Sequence, residues 1–156
     1  MTTAIVYASK HGTTGDIAQL LATELGEDTA LFDLTEGPAS LDGYDTIVLG
    51  TAIYAGQPVK AMRQFAEGFD PSGQQLALFV CGMEQGQDTR AKELATAFPQ
   101  ALHDQAKAAV FFAGRFQFDK LNKAERFIIR RVAKTKTDVD QVDPEAIASF
   151  AAKVRA

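Results

Sequence analysis

AIVYASKHGTTGDIAQLLATEL, residues 4–25, passes from a strand into a helix with only a short turn between them. Ala4-Ile5-Val6-Tyr7 lies inside an apolar run from Thr3 to Ala8, the pattern of a strand buried on both faces. Ile17, Leu20, Leu21 and Leu25 then recur at helical spacing. The turn itself is Ser9-Lys10-His11-Gly12-Thr13-Thr14. A helix start presents unpaired N–H groups and the positive end of its dipole. Gly12 lets the backbone approach a ligand, the three hydroxyls add donors, and Lys10 or His11 adds charge. That set suits a phosphate; it also suits a plain helix cap in a tight turn. No Gly-Lys-Ser/Thr closes the loop, so it is not an ATP-binding P-loop, and no Gly-x-Gly-x-x-Gly marks a dinucleotide site.

Outward from this unit the alternation repeats. Ala30–Leu34 is a strand candidate, and Asp45–Gly50 is a stronger one. Val59, Met62, Phe65 and Ala66 mark a helix, and Leu76–Val80 a buried strand. Ala91, Leu94, Ala95 and Phe98 form a helical stripe that Pro99 helps close, and Ala108–Ala113 is the fifth strand. Asp143-Pro144 reads as N-cap and first residue of a last helix through Ile147, Phe150 and Val154. Five such strands with crossover helices predict an α/β fold: an open, doubly wound parallel sheet between two helical layers. Sheets of this kind bind ligands at the carboxyl ends of their strands, where the order reverses. Those ends are Ser9–Thr14, Thr51–Pro58, Cys81–Asp88 and Gly114–Phe118.

Composition narrows the function classes. The chain has 156 residues, 46% hydrophobic and 23% charged, enough for one domain over 1–156 with a proper core. Apolar runs such as Ala108–Ala113 fall far short of the ~20 residues of a membrane span, and no signal peptide is visible. Cys81, the one cysteine, excludes an internal disulfide and fits a reducing cytoplasm. His11, His103 and Cys81 sit in separate segments without ligand spacing, so no metal is expected. Cys81 reads as a small buried hydrophobe and His103 as a surface or cap residue. The acidic balance disfavours nucleic acid as a partner.

The three loops in register resemble the flavodoxin family. Its members carry Ser/Thr-x-Thr-Gly-x-Thr after the first strand, the slot of Ser9–Thr14. A Gly-x-x-x-aromatic loop follows the third strand, as in Gly50-Thr51-Ala52-Ile53-Tyr54-Ala55-Gly56, and Cys81-Gly82 matches a common Cys-Gly after the fourth. The resemblance implies an FMN site. Ser9, Lys10, His11, Gly12, Thr13 and Thr14 would hold the phosphate. Thr51, Ala52, Ile53, Tyr54, Ala55 and Gly56 would lie along the isoalloxazine, with Tyr54 as the stacking ring. Cys81, Gly82, Met83, Glu84, Gln85 and Gly86 would border its other side. This chain has Thr13 where flavodoxins usually have Asn and His11 where they usually have Thr. The third loop has no aromatic, leaving Met83 to meet the ring through sulfur. The acidic body disfavours an anionic reduced flavin, which lowers its potential.

Residues 120–136 stand apart. Lys120, Lys123, Arg126, Arg130, Arg131, Lys134 and Lys136 face only Glu125, a local charge of +6 within a chain of net −4. At 100° per residue, Leu121, Ala124, Ile128, Ile129 and Val132 share one side, and Lys123, Arg126, Arg130 and Lys134 the opposite one. The segment reads as a basic amphipathic helix within an insertion at about 115–140. It is either a packing helix with a solvated face or a seat for an anionic substrate, an anionic membrane surface or an acidic redox partner. Arg126–Lys134, with Gly114 and Phe118 before it, resembles the menaquinone-dependent protoporphyrinogen oxidase branch of the flavodoxin superfamily. That branch often has Arg then Tyr before the glycine of the second loop, where this chain has Tyr54-Ala55. Two functions follow: an FMN electron carrier working with a redox partner protein or quinone, or a flavoenzyme oxidising protoporphyrinogen or reducing a quinone. The expected location is the cytoplasm, with peripheral membrane contact through the basic helix. A signalling receiver on the same fold needs acidic residues at the ends of the first and third strands, and this chain has Ser9 and Thr51 there. A generic binder of phosphorylated ligands is the fallback.

Overall fold

A computed structural model describes residues 2–10, 12–71, 73–116 and 139–156. In chain order the elements are β1 (Thr3–Ala8), α1 (Thr13–Leu25), β2 (Thr29–Asp33), β3 (Thr46–Tyr54), β4 (Gln57–Pro58), α2 (Lys60–Glu67), β5 (Gln75–Gly82), α3 (Gln87–Ala97), α4 (Gln100–Gln105), β6 (Ala106–Ala113), β7 (Arg115–Phe116), β8 (Val139–Asp140) and α5 (Pro144–Arg155). Five strands pair in parallel in the order β2-β1-β3-β5-β6, as the alternating pattern predicts. The two-residue β4 folds back antiparallel on the end of β3.

Because every central strand is covered on both sides, alternate residues feed two cores. Ala4, Val6, Ile47, Leu49, Leu76, Leu78 and Val80 pack on one face with Met62, Phe98 and Leu102 of the α2, α3 and α4 side. Ile5, Val48, Ala77, Phe79 and Cys81 pack on the other with α1 and α5. Helix α1 buries Thr14, Ile17, Ala18 and Leu21, spaced three and four apart as one face requires, whereas Leu20 is exposed. Helix α5 starts as its sequence predicts: the Asp143 carboxylate accepts from the Glu145 N–H at 2.9 Å, and Pro144 occupies the first turn.

Three departures from the periodicity are informative. The connection over residues 34–45 contains no helix. Leu34, Ala39 and Leu41 pack against the core themselves, and the Gln74 side-chain amide donates to the carbonyls of Leu41 and Tyr44, both at 2.9 Å. A pinned loop thus does the covering work of a crossover helix. A short helix, α4, follows Pro99 directly, and the partly exposed His103 bonds the Leu94 carbonyl in the last turn of α3 at 3.1 Å while packing against Phe98, the cap alternative of its reading. Finally, β7 and β8 pair at the root of the segment between them. The basic helix read over 120–136 lies outside the described residues.

Candidate functional site

The strand order reverses between β1 and β3, since the chain leaves β1 toward β2 and returns to pair β3 on the opposite side. Register then sets which residues meet there. Ala8 stands beside Thr51, and Ala52 beside Cys81. Loops 9–12, 55–56 and 83–86 therefore emerge together at one end of the sheet.

The first loop is shaped by Gly12, whose φ of 90° lies in the left-handed region that other residues seldom adopt. Its N–H donates to Ser9 Oγ at 2.9 Å, a bond that leaves the Ser9 hydroxyl hydrogen unused. A Cβ built on Gly12 would meet nothing within 4 Å, so the loop is open above that position. The N-cap of α1 is Gly12 itself, which has no side chain to offer the helix start. Thr14, in the first turn, is fully buried, and its hydroxyl has no hydrogen-bond partner of ordinary geometry. Thr3 and Thr46 hold the other such hydroxyls among the described residues, both at the amino ends of strands, away from the three loops. Thr13 opens α1, and His11 lies outside the described residues.

The second loop is a hairpin. Ala55 (φ 51°) and Gly56 (φ 77°) form its two-residue turn, both left-handed as a primed turn needs. The buried Thr51 hydroxyl ties the base: it accepts from the Val59 N–H and donates to the Ala52 carbonyl, each at 3.1 Å. That hydroxyl therefore serves the hairpin. Ile53 packs into the α2–α3 core beside Gly82, and Tyr54 is half-buried at the tip. The Lys10 ammonium lies 3.5 Å from the centroid of the Tyr54 ring, joining the first loop to the second.

The third loop is held by contacts that no local sequence pattern signals. The Glu84 carboxylate accepts from the N–H groups of Gln85 (3.1 Å) and Gly86 (2.9 Å). Arg90 donates to the Glu84 carbonyl while its guanidinium lies 4.9 Å over the Phe111 ring. The Gln85 amide donates to the Met83 carbonyl (3.0 Å) and to the Gln141 side chain (2.9 Å), and Gln141 N–H donates to the Gly114 carbonyl. Arg90 and Gln141 are thus supporting residues missed by reading the sequence. Their only signal there is proximity to a strand end. A Cβ on Gly114 would fall 2.9 Å from Cys81 Sγ and 3.6 Å from Met83 Sδ, so both sulfurs pack around that glycine. Cys81 is 4% exposed. Burial pushes its thiol up to about 12, opposed only in part by the neighbouring Thr14 hydroxyl. It stays protonated at neutral pH and is no nucleophile.

Cavities of about 230 Å³, beside Pro58, Arg63 and Phe98, and about 220 Å³, beside Phe32, Asp33 and Pro38, include neither Ser9–Thr14 nor Gly82–Gly86. Among the described residues no group of acidic, histidine or cysteine side chains could hold a metal, and no helix is long and apolar enough to cross a membrane.

A family model described as "Flavodoxin domain" matches residues 4–143. The protoporphyrinogen IX dehydrogenase (quinone) of Escherichia coli strain K12 is 24% identical over 172 residues, covering 99% of this chain and 94% of that protein. The fold is shared with oxidised Flavodoxin 1 from Bacillus cereus, at a TM-score of 0.59 and 14% identity over 99% of this chain and 97% of that one. It is shared also with the Fusobacterium nucleatum flavodoxin bound to flavin mononucleotide. There the TM-score is 0.58 at 16% identity, covering 99% of this chain and 98% of that one.

Proposed function

The chain belongs to the flavodoxin domain family, and from that premise we propose that it is an FMN-binding redox protein that transfers electrons through its flavin. The carrying observation is the Thr14 hydroxyl, fully buried in the first turn of α1 and met there by no more than a weak contact with the Cys81 thiol. A buried hydroxyl so weakly paired is costly, and a bound phosphate supplies a strong acceptor. The open face of Gly12 at the start of α1 supports the same placement.

In this assignment Ser9, Lys10, His11, Gly12, Thr13 and Thr14 hold the phosphate. Tyr54, on its rigid hairpin with Thr51, Ala52, Ile53, Ala55 and Gly56, offers a stacking face. Cys81, Gly82, Met83 and Glu84 form the opposite wall, braced by Arg90 and Gln141. Bound FMN supplies the electron chemistry; the protein binds it, orients it and limits water around it. One phosphate loop at one helix start favours FMN over FAD. The whole chain acts as one domain, with the basic residues between 120 and 136 in an insertion after β6. Rooted at β7–β8 near the third loop, that segment suits an anionic partner at the flavin end, whether a redox protein, an acidic substrate or a membrane surface where a quinone is met.

A second function is favoured by the Escherichia coli relative, whose likeness covers 99% of this chain: a protoporphyrinogen-oxidising or quinone-reducing flavoenzyme. The carrier stands first because Tyr54-Ala55 leaves the second loop without a substrate-side arginine. The test is a spectrum and a titration. Purified or FMN-soaked protein should show the near-ultraviolet and blue bands of oxidised flavin, and should quench free FMN fluorescence at micromolar levels. Colourless protein that leaves FMN fluorescence unchanged refutes the proposal. Oxidation of protoporphyrinogen with a quinone as acceptor would decide for the enzyme.

A further inference from the structure

Lys10 and Tyr54 stand 44 residues apart in sequence and on opposite sides of the point where the strand order reverses, yet the Lys10 Nζ sits 3.5 Å from the Tyr54 ring centroid. At that distance the ammonium covers one face of the ring. The two partners differ in freedom. Tyr54 is half-buried on a hairpin fixed by its two left-handed turn residues and by the Thr51–Val59 bond. Lys10 is exposed, on a long, flexible side chain in the first loop. A flat ligand that takes this face of Tyr54 must therefore move Lys10, not the ring.

Resting on the FMN site proposed above, we propose that Lys10 selects a flavin monophosphate over the same flavin without its phosphate. Either ligand, on stacking against Tyr54, must displace the ammonium and lose the cation–π contact. Only the phosphorylated ligand offers the displaced ammonium an anion, and it offers it beside the loop that carries Lys10. Riboflavin bears the displacement cost alone. For FMN the cost is offset by a charge-assisted contact. Lys10 is on this account a specificity residue, and Tyr54 the surface over which cation and flavin compete.

The test is paired titration of FMN and riboflavin, by quenching of flavin fluorescence, into the unmutated chain, Lys10→Met and Lys10→Arg. Lys10 is exposed, so both variants should fold, with Lys10→Met melting lower by no more than the few degrees an exposed cation–π contact is worth. In Lys10→Met riboflavin should bind roughly two- to fivefold tighter, the size of an exposed cation–π contact released. FMN should bind roughly two- to tenfold weaker and lose part of its salt dependence, as for one exposed to partly buried charge pair. Lys10→Arg should keep the preference for FMN. If riboflavin binds Lys10→Met no more tightly than the unmutated chain, the ammonium does not compete for the ring and the inference is overturned, while FMN binding by the unmutated chain leaves the site itself standing. If the unmutated chain binds neither flavin, the FMN site fails, and this inference with it.

Discussion

Replacing Thr14 by Val should raise the stability of the flavin-free protein and lower its affinity for FMN. Valine keeps the branched shape that fills the fully buried position and removes only the hydroxyl, which has no ordinary hydrogen-bond partner. An unsatisfied buried polar group costs ~1–3 kcal/mol. The nearby Cys81 thiol offers a weak contact, which places the gain near the low end, about 1 kcal/mol, or about 2–4 °C in Tm for a chain of this size. Loss of a hydrogen bond to a charged phosphate should cost ~1.5–3 kcal/mol, about 10- to 150-fold in Kd. The two effects cross in one assay, thermal melting with and without ligand. At FMN near 100 times the unmutated Kd the unmutated protein gains about 2.7 kcal/mol, and a variant binding tenfold weaker gains only about 1.4. Thr14→Val should thus melt higher without FMN and gain less from it, with riboflavin affinity nearly unchanged. A variant that melts lower without ligand would show that the hydroxyl has a partner inside the protein. Equal losses for FMN and riboflavin would remove Thr14 from the phosphate.

Other outcomes follow from the same contacts. A Cβ on Gly50 would stand 2.0–2.5 Å from three atoms of the Phe79 ring, itself packed against Phe112 and Phe150. Gly50→Ala should therefore cost ~1–3 kcal/mol in urea melts; a loss below ~0.5 kcal/mol, within the range of an ordinary surface change, would mean the ring swings aside. The Cys81 thiol, raised from 9.0 to about 12, holds its proton longer folded than unfolded. Its contribution is full below pH 9 and is lost progressively as pH rises toward 12. Cys81→Ala should flatten that stretch of the stability–pH curve, and identical slopes would refute the burial argument. Reversing Lys123, Arg126, Arg130 and Lys134 to Glu turns the segment's charge from +6 to −2, so FMN binding should change little while electron exchange with an anionic partner slows roughly tenfold or more at low salt and no longer slows as salt is added. Equal rates for both proteins in stopped-flow measurements would confine those residues to a solvated face.

The strand–helix alternation, the loops at the carboxyl ends of the strands, the Asp143–Pro144 helix start and the resemblance to flavodoxins are all legible in the residues alone. Each of these is written within one short window: a strand announces itself by its apolar run, a helix by its spacing, a cap by adjacent residues. The site residues were legible as loops for the same reason, though not as contacts. Contacts between remote segments are visible only once the chain is folded: Lys10 meets Tyr54, Gln85 reaches Gln141 across 56 positions, and Gly50 is a glycine for the sake of Phe79. Folding likewise sets Thr51 to serve the hairpin and residues 34–45 to cover the core without a helix. These pairings follow from strand register. Once β1, β3 and β5 align residue by residue, side chains remote in sequence are brought face to face, and no local pattern records which of them will touch.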